Sequence, residues 1–527
     1  MASSLLSSLA FLITATIVIA NPTVTISSGV VIGTTVTPVN QPSATAVVNA
    51  FLGIPFAKSP PQRFSPPEAP EPWSTPLQAQ SLAPSCPQQN ISVNGLSLER
   101  QLALPVAGDI QQSEDCLYLN VYAPQNSSSS NLTEVLFWIH GGDLIGGSAS
   151  QSLYTASPLP INENIVLVIP NYRLSMFGFS NSPEIPSGQQ NSGFLDQRLA
   201  LNWTQNNIKQ FGGDPSKVTV FSESAGGWSA KQLLAIPPSP LPFQAAIIES
   251  EALELPGNGT ANYQNVSQHF NCTDISCLRN VSMSSIQDYV SKNNLFFKPV
   301  ADNATSVSDI RNSINNGTFA NVSMIIGTNK NELSQLVFLI SGGGTFNVNQ
   351  TLDNICAAIH IQKPLCNLFI GQLQKLVGGN LTWPDISRIV TDTVFTCPTG
   401  AIANYTSGHG LKVWRYRYSA SLNDTGTFPG EGAVHASEVP IVFGTYPTEN
   451  ATDQEVALSK YMQHAWASFA KNPDGGPGWP QIGTNGGLEL ADIGSGNSSG
   501  ENNVTFWEAD SYCGTLLGYA EQLGFAW

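Results

Sequence analysis

Short apolar runs alternate with helix-forming stretches through the middle of the chain, and this alternation leaves few folds open. Glu134–Ile139 (EVLFWI) and Asn164–Pro170 (NIVLVIP) are continuous apolar runs, the pattern of strands covered on both faces. Gly193–Phe211 reads as a helix with Leu195, Leu199, Leu201, Trp203 and Ile208 on its apolar face, stopped by Gly212 and Gly213. Lys217–Phe221 (KVTVF) is a strand with β-branched residues. Ala225–Ile236 is a second helix, ended by Pro237 and Pro238, and Gln244–Ile248 (QAAII) is a further strand. Strand, helix, strand, helix, strand predicts an α/β fold with a mostly parallel central sheet and helices on both faces. Pro-rich stretches at 59–72 and 237–242 read as long ordered loops, and 127–130 and 494–500 as exposed turns. No internal repeat is visible.

Charge narrows the partners. The 527 residues carry 21 Lys+Arg against 37 Asp+Glu, a formal net charge of −16. Cations are too sparse for a phosphate-tracking face, which excludes nucleic acid and argues against an anionic membrane surface. Only 11% of residues are charged, where about 25% is usual. Something else must keep the surface wet, and Asn-x-Ser/Thr glycosylation acceptors are abundant. They begin at Asn90, Asn126, Asn131, Asn202, Asn258, Asn265, Asn271, Asn280, Asn303, Asn316, Asn321, Asn349, Asn380, Asn404, Asn423, Asn450, Asn497 and Asn503. Asn202 stands apart, because it falls in a helix expected to pack.

Residues 1–20 (MASSLLSSLAFLITATIVIA) have an apolar stretch and small residues at Val18-x-Ala20, the pattern of a secretory signal peptide, although no Lys or Arg follows Met1. The competing reading is a membrane anchor, for which the stretch is short of the roughly 20 apolar residues a span needs. Eight cysteines behind a signal imply an oxidising compartment. Spacing indicates Cys272–Cys277 and Cys356–Cys366 as local clips and leaves Cys86, Cys116, Cys397 and Cys513. None has metal-ligand spacing. The expectation is a secreted, N-glycosylated protein with a signal at 1–20, no stable membrane insertion and one large unit over 21–527. Oligomeric state is not legible.

Ser222-Glu223-Ser224-Ala225-Gly226 lies between the strand 217–221 and the helix from Ala225. A serine on a sharp strand-to-helix turn is a nucleophile elbow: the turn lifts Oγ clear of the backbone, and the helix N-terminus offers N–H groups to an oxyanion. The usual motif is G-x-S-x-G, and here Ser222 stands for the first glycine.

The run Asn191–Gly227 (NSGFLDQRLALNWTQNNIKQFGGDPSKVTVFSESAGG) resembles the type-B carboxylesterase/lipase family, which includes cholinesterases and fungal lipases. Phe51–Trp73 (FLGIPFAKSPPQRFSPPEAPEPW), Ser113–Tyr122 (SEDCLYLNVY), Trp138–Gly147 (WIHGGDLIGG), Asn171–Phe179 (NYRLSMFGF) and Gly432–Gly444 (GAVHASEVPIVFG) match in the family's order. The resemblance covers about residues 25–520, is similar to fungal secreted carboxylesterases, and implies an α/β-hydrolase fold with long loop and helix insertions. It implies a serine carboxylic-ester hydrolase acting on a small-molecule or lipid ester through an acyl-enzyme, without cofactor or metal.

The resemblance also assigns residues. The family's catalytic histidine falls on His435, in its G-x-x-H motif. The family's G-x-N-x-D-E-G pattern falls on 327–333 and makes Glu332 the acid, with Asn331 for Asp and Leu333 for Gly; Asp302 is the runner-up. The family's three glycines after the strand 134–139 are Gly141, Gly142 and Asp143 here, so the oxyanion donors are the N–H groups of Gly142, Asp143 and Ala225. A carboxylate beside a developing oxyanion would hurt catalysis unless it is paired or points away, and each donor in comparable sites is worth about 2.7–4 kcal/mol. Glu223 matches a position lining the family's pocket, either supporting His435 or making a plain structural hydrogen bond. The family pairs Cys86 with Cys116, Cys272 with Cys277 and Cys397 with Cys513; Cys356–Cys366 would be particular to this chain. The Cys86–Cys116 loop contains no aromatic residue, whereas cholinesterases place a Trp there to hold quaternary ammonium. Leu96, Leu98, Leu102, Leu104 and Val106, broken by Glu99 and Arg100, would make only a modest lipase lid. Soluble esters of short-to-medium acyl or aromatic acids are therefore expected. An interfacial lipase or sterol esterase, and a non-catalytic cholinesterase-like binding protein, are the alternatives. An ordinary histidine base would place the acid limb of activity at about pH 6–7.

Overall fold

A computed structural model describes residues 21–522 except 41–46, 91, 94–95, 98–109, 253–258, 344, 346, 359–362, 423–430 and 488. The signal segment, most of the expected lid, His360 and the acceptors Asn258 and Asn423 thus lie outside the described residues.

One 11-stranded sheet organises the chain. In chain order its strands are β1 (Thr34–Val36), β2 (Val48–Pro55), β3 (Tyr118–Pro124), β4 (Thr133–Ile139), β5 (Val166–Pro170), β6 (Gly213–Glu223), β7 (Ala245–Glu249), β8 (Ser323–Asn329), β9 (Val413–Tyr418), β10 (Leu490–Ile493) and β11 (Glu501–Val504). They lie side by side as β11-β10-β9-β8-β7-β6-β4-β5-β3-β2-β1. The run from β10 to β5 is parallel throughout, and antiparallel strands close both edges.

Alternation along each strand builds two cores. On β4, Val135, Phe137 and Ile139 point into one cluster and Leu136 and Trp138 into the other. Helices α1 (Ser192–Asn207) and α2 (Ala225–Ala235) cover the first face through Phe194, Leu201, Trp203, Leu233 and Leu234. Helix α3 (Asp453–Lys471) covers the second through Leu458, Met462, Trp466 and Phe469. The helix expected over 193–211 ends at Asn207 and continues as one 3₁₀ turn, Ile208–Phe211. Its inward face also differs from the expected one. Leu195 and Leu199 are only half-buried, whereas Asp196, Gln197 and Thr204 are buried. Asp196 explains the difference: it takes two bonds from the Arg173 guanidinium, at 2.8 and 2.7 Å, and a third from the Arg173 N–H at 3.0 Å. A satisfied ion pair thus occupies a place that apolar periodicity assigns to leucine.

A third, smaller core gathers helices after β8, with Val337, Leu352, Leu373, Ile386 and Leu516. Cys356–Cys366 and Cys397–Cys513 staple it, and Cys86–Cys116 and Cys272–Cys277 complete the four disulfides. Among the described residues no helix is long and apolar enough to cross a membrane.

The site follows from the strand order. The chain runs from β4 outward to β5, then crosses back to place β6 on the other side of β4. Loops leaving the C-terminal ends of β4 and β6 therefore diverge in sequence but stand next to each other, the usual place for a ligand in an open α/β sheet.

Candidate active site

Ser224 sits at the turn between β6 and α2 with φ 55° and ψ −121°. A non-glycine residue holds such a backbone only when its surroundings impose it, at about 1–3 kcal/mol. Here the Ser224 N–H donates to Glu249 O at 2.9 Å, and Ser224 O accepts from Trp228 N at 2.9 Å. The helix packs hard on β4: a Cβ on Gly226 would lie 2.0 Å from Ile139 O. Ser222, in the place of the motif's first glycine, is fully buried and donates its hydroxyl to Ile247 O at 3.1 Å.

The other expected residues converge on this turn from far along the chain. His435 Nε2 stands 2.8 Å from Ser224 Oγ, and His435 Nδ1 stands 2.7 Å from Glu332 Oε2. Glu332 has no exposed surface, and its Oε1 accepts from Asn329 N at 2.7 Å. The His435 N–H also donates to Glu332 O at 3.1 Å, tying the two loops by backbone as well. Asn331 and Leu333, where the family pattern has Asp and Gly, leave this geometry intact. Asp302 plays a different part: its carboxylate caps a turn by accepting from the N–H groups of Ala304, Thr305 and Ser306. His140 stacks on Tyr172, His269 on Tyr289, and His409 and His464 lie with Tyr405 O and Glu163.

The Gly-rich turn after β4 abuts the elbow, since a Cβ on Gly141 would lie 2.4 Å from Glu223 Oε2 and 3.0 Å from Ser224 Cβ. Gly142, Asp143 and Leu144 all have positive φ, at 112°, 52° and 59°. The Asp143 carboxylate is not loose: it accepts from Lys298 Nζ at 2.6 Å. Ala225 opens α2, where an N–H has no intrahelical acceptor.

A profile of the Carboxylesterase family matches residues 20–507. Human cocaine esterase is 32% identical over 491 residues, covering 88% of this chain and 86% of that protein. Mouse acylcarnitine hydrolase is 31% identical over 467 residues, 82% of each chain. The para-nitrobenzyl esterase of Bacillus subtilis (strain 168) is 34% identical over 449 residues, 80% of this chain and 86% of that one. The chain belongs to the carboxylesterase family. It is a carboxylic ester hydrolase with the α/β-hydrolase fold.

This carboxylesterase surrounds its histidine with acid. Glu223 Oε1 lies 3.3 Å from His435 Nε2, so the residue beside Ser224 faces the imidazole. Glu438, three residues after His435, is fully buried and accepts from Asn329 Nδ2. Glu249, paired with Glu223 across β6 and β7, is buried and accepts from Trp466 Nε1 at 2.8 Å. Glu249, Glu438 and Asn329 were given no role by the sequence, although Asn329 is the asparagine of the pattern on 327–333 and Glu438 lies in the matched run 432–444. Burial raises Glu223 to about 7, with His435 opposing the rise. Burial raises Glu438 to about 8, assisted by Glu223 and Glu332. Burial alone would push His435 down, but the charges of Glu223, Glu332 and Glu438 and the Glu332 hydrogen bond reverse this and raise it to about 9. A histidine raised in this way would become neutral at higher pH than the unshifted imidazole behind the expected limb at about pH 6–7. His140, by contrast, is held down to about 4 by burial, against a bond to Gly141 O.

Proposed function

We propose that this ester hydrolase works through an acyl-enzyme on Ser224. Neutral His435 takes the Ser224 proton on Nε2 as Oγ attacks the ester carbonyl carbon, while Glu332 holds Nδ1–H and balances the imidazolium that forms. The N–H groups of Gly142, Asp143 and Ala225 receive the oxyanion. His435 then returns the proton to the leaving alcohol, and water, activated by the same base, releases the acid. The observation that carries this reading is the unbroken chain Ser224 Oγ, His435 Nε2, His435 Nδ1, Glu332 Oε2, with contacts of 2.8 and 2.7 Å.

The substrate we infer is a soluble ester of a short-to-medium acyl or aromatic acid. The loop between Cys86 and Cys116 supplies no aromatic residue for a quaternary ammonium. The relatives are named for substrates as unlike as cocaine, an acylcarnitine and a para-nitrobenzyl compound; what their names share is hydrolysis. We also propose secretion, with residues 1–20 as the signal, 21–527 as the hydrolase unit, and an N-glycan coat. Two observations support it. Four disulfides suit an oxidising compartment. Every acceptor asparagine whose side chain is described is exposed, Asn202 included.

The test is labelling with a fluorophosphonate, peptide mapping, and turnover of a p-nitrophenyl ester by wild type and Ser224→Ala. Loss of about 10⁴–10⁶-fold in kcat is expected for the variant. Equal turnover by Ser224→Ala would falsify the assignment. A rate that jumps as substrate passes its solubility limit would favour the interfacial lipase instead.

A further inference from the structure

The strained turn that carries two of the three oxyanion donors is held by a residue from elsewhere in the chain. Asp143 occupies φ 52°, a left-handed conformation that glycine takes without cost and that aspartate takes less freely than glycine but more readily than most other side chains. The turn is fixed on either side of it. Gly142 O accepts from Ile145 N at 3.0 Å and from Gly146 N at 2.9 Å, and Leu144, with no exposed surface, has its O bound by Ser175 N at 2.7 Å. Asp143 alone among these residues points a charged side chain outward, with 51% of it exposed.

Lys298 meets that charge from 155 residues away, with Nζ 2.6 Å from Oδ1. Its own side chain is only 15% exposed. Nζ lies 5.7 Å from the ring centre of Trp228 and 6.0 Å from that of Phe296, so the ammonium is seated between two aromatic faces. Trp228 stands one helical turn after Ser224 on α2, bonded to it by Trp228 N and Ser224 O. The Lys298 backbone is fixed as well, since Lys298 O accepts from Asn181 Nδ2 at 2.9 Å. The cation therefore spans from the helix that starts at the nucleophile to the turn opposite it.

We propose that Lys298 is a positioning residue for the oxyanion-binding turn. It pulls the Asp143 carboxylate outward, keeps the Asp143 N–H aimed at the site, and cancels a negative charge that would otherwise face the developing oxyanion. The inference rests on the oxyanion role given above to the Gly142 and Asp143 N–H groups. Lys298 touches no reacting atom. Its effect falls on the transition state, where the oxyanion charge appears, and not on ground-state binding. Without the cation, the half-exposed Asp143 carboxylate would stand uncancelled beside the developing oxyanion, and the acylation step would slow, by less than a fully buried charge would cause because water screens it.

The experiment is a double-mutant cycle on the full chain with a p-nitrophenyl ester, reading kcat and KM separately. Lys298→Met keeps the stem against Trp228 and removes the charge. It is expected to lower kcat about five- to tenfold with KM changed less than about twofold, and Lys298→Arg to recover most of the loss. In an Asp143→Asn background, where there is no charge to cancel and asparagine tolerates positive φ, the same Lys298→Met change is expected to cost less than about threefold. Equal losses in both backgrounds would overturn the proposal and make Lys298 a packing residue of Trp228. So would a kcat unchanged by Lys298→Met. Ser224→Ala, run alongside, separates the two failures: if it retains turnover the acyl-enzyme reading falls, and if it is inactive while Lys298→Met is unaffected, only the role of Lys298 falls.

Discussion

Ser222 and Asp143 both stand where the carboxylesterase pattern has glycine, and the protein treats the two replacements differently. Ser222 lies inside β6 with no positive φ, and its hydroxyl finds Ile247 O in a place with no exposure to solvent. Glycine there supplies room, and a small side chain with one hydrogen bond fits the same room. Asp143 lies in a run of three positive φ values, its charge half in solvent and taken by Lys298. Glycine there supplies backbone freedom, and the charge that its replacement carries is met by a partner from a distant loop. A glycine kept for space can thus be exchanged locally. At Asp143 the exchange also brought in a charge, and a non-local residue takes it.

Exchanging the two demands gives the largest effect. Ser222→Asp would bury a carboxylate beside Glu223 and Glu249, both already raised by burial and by neighbouring acids. Among the described residues, the side-chain bond shown at this position goes to Ile247 O and not to a lysine. An uncompensated buried charge costs about 3–5 kcal/mol, so the guanidinium midpoint is expected to fall sharply or the protein to fail to accumulate. A Ser222→Asp protein with the wild-type midpoint would break the comparison at its root.

The same contrast bears on catalysis through a second pair of carboxylates. Asp143 is answered by a lysine, whereas Glu223 faces His435, which is a cation only when protonated. His435 must be neutral to accept the Ser224 proton, so activity appears as pH rises through its pKa. Glu223 heads the neighbours that raise that pKa to about 9. Glu223→Gln removes the charge, lowers the His435 pKa and moves the acid limb of kcat/KM to lower pH. A pH-rate profile of wild type and variant reads this directly. A limb that stays in place, or moves up, shows that Glu223 does not set the base.

How far the sequence reaches is visible in these same residues. The elbow was legible locally: a β-branched strand, small residues and a helix start are all within ten positions of Ser224. His435 and Glu332 lie 211 and 103 residues from their partners and carry no local signal of their own. They became legible only through the ordered resemblance to a family. The Lys298–Asp143 pair and the acids Glu249 and Glu438 lay beyond both routes, because strand order and loop packing bring them together and no periodicity records it. The inward face of α1 was misread for a related reason. Its buried Asp196 is matched by Arg173, and hydrophobic patterning cannot distinguish a paired buried charge from a solvated one.

The smallest effect tests the tolerant side of the comparison. Ser222→Gly restores the family's residue and deletes the bond to Ile247 O. If the position asks only for room, the loss is that of one buried hydrogen bond, about 0.5–1.5 kcal/mol of stability. kcat and KM should stay within about twofold, because the elbow backbone is held by Ser224 N, Ser224 O and the packing of Gly226 on Ile139. A tenfold rise in kcat would mean that Ser222 strains the turn it precedes. Glycine would then be wanted there for its backbone as well, and the distinction between the two sites would collapse into one of degree.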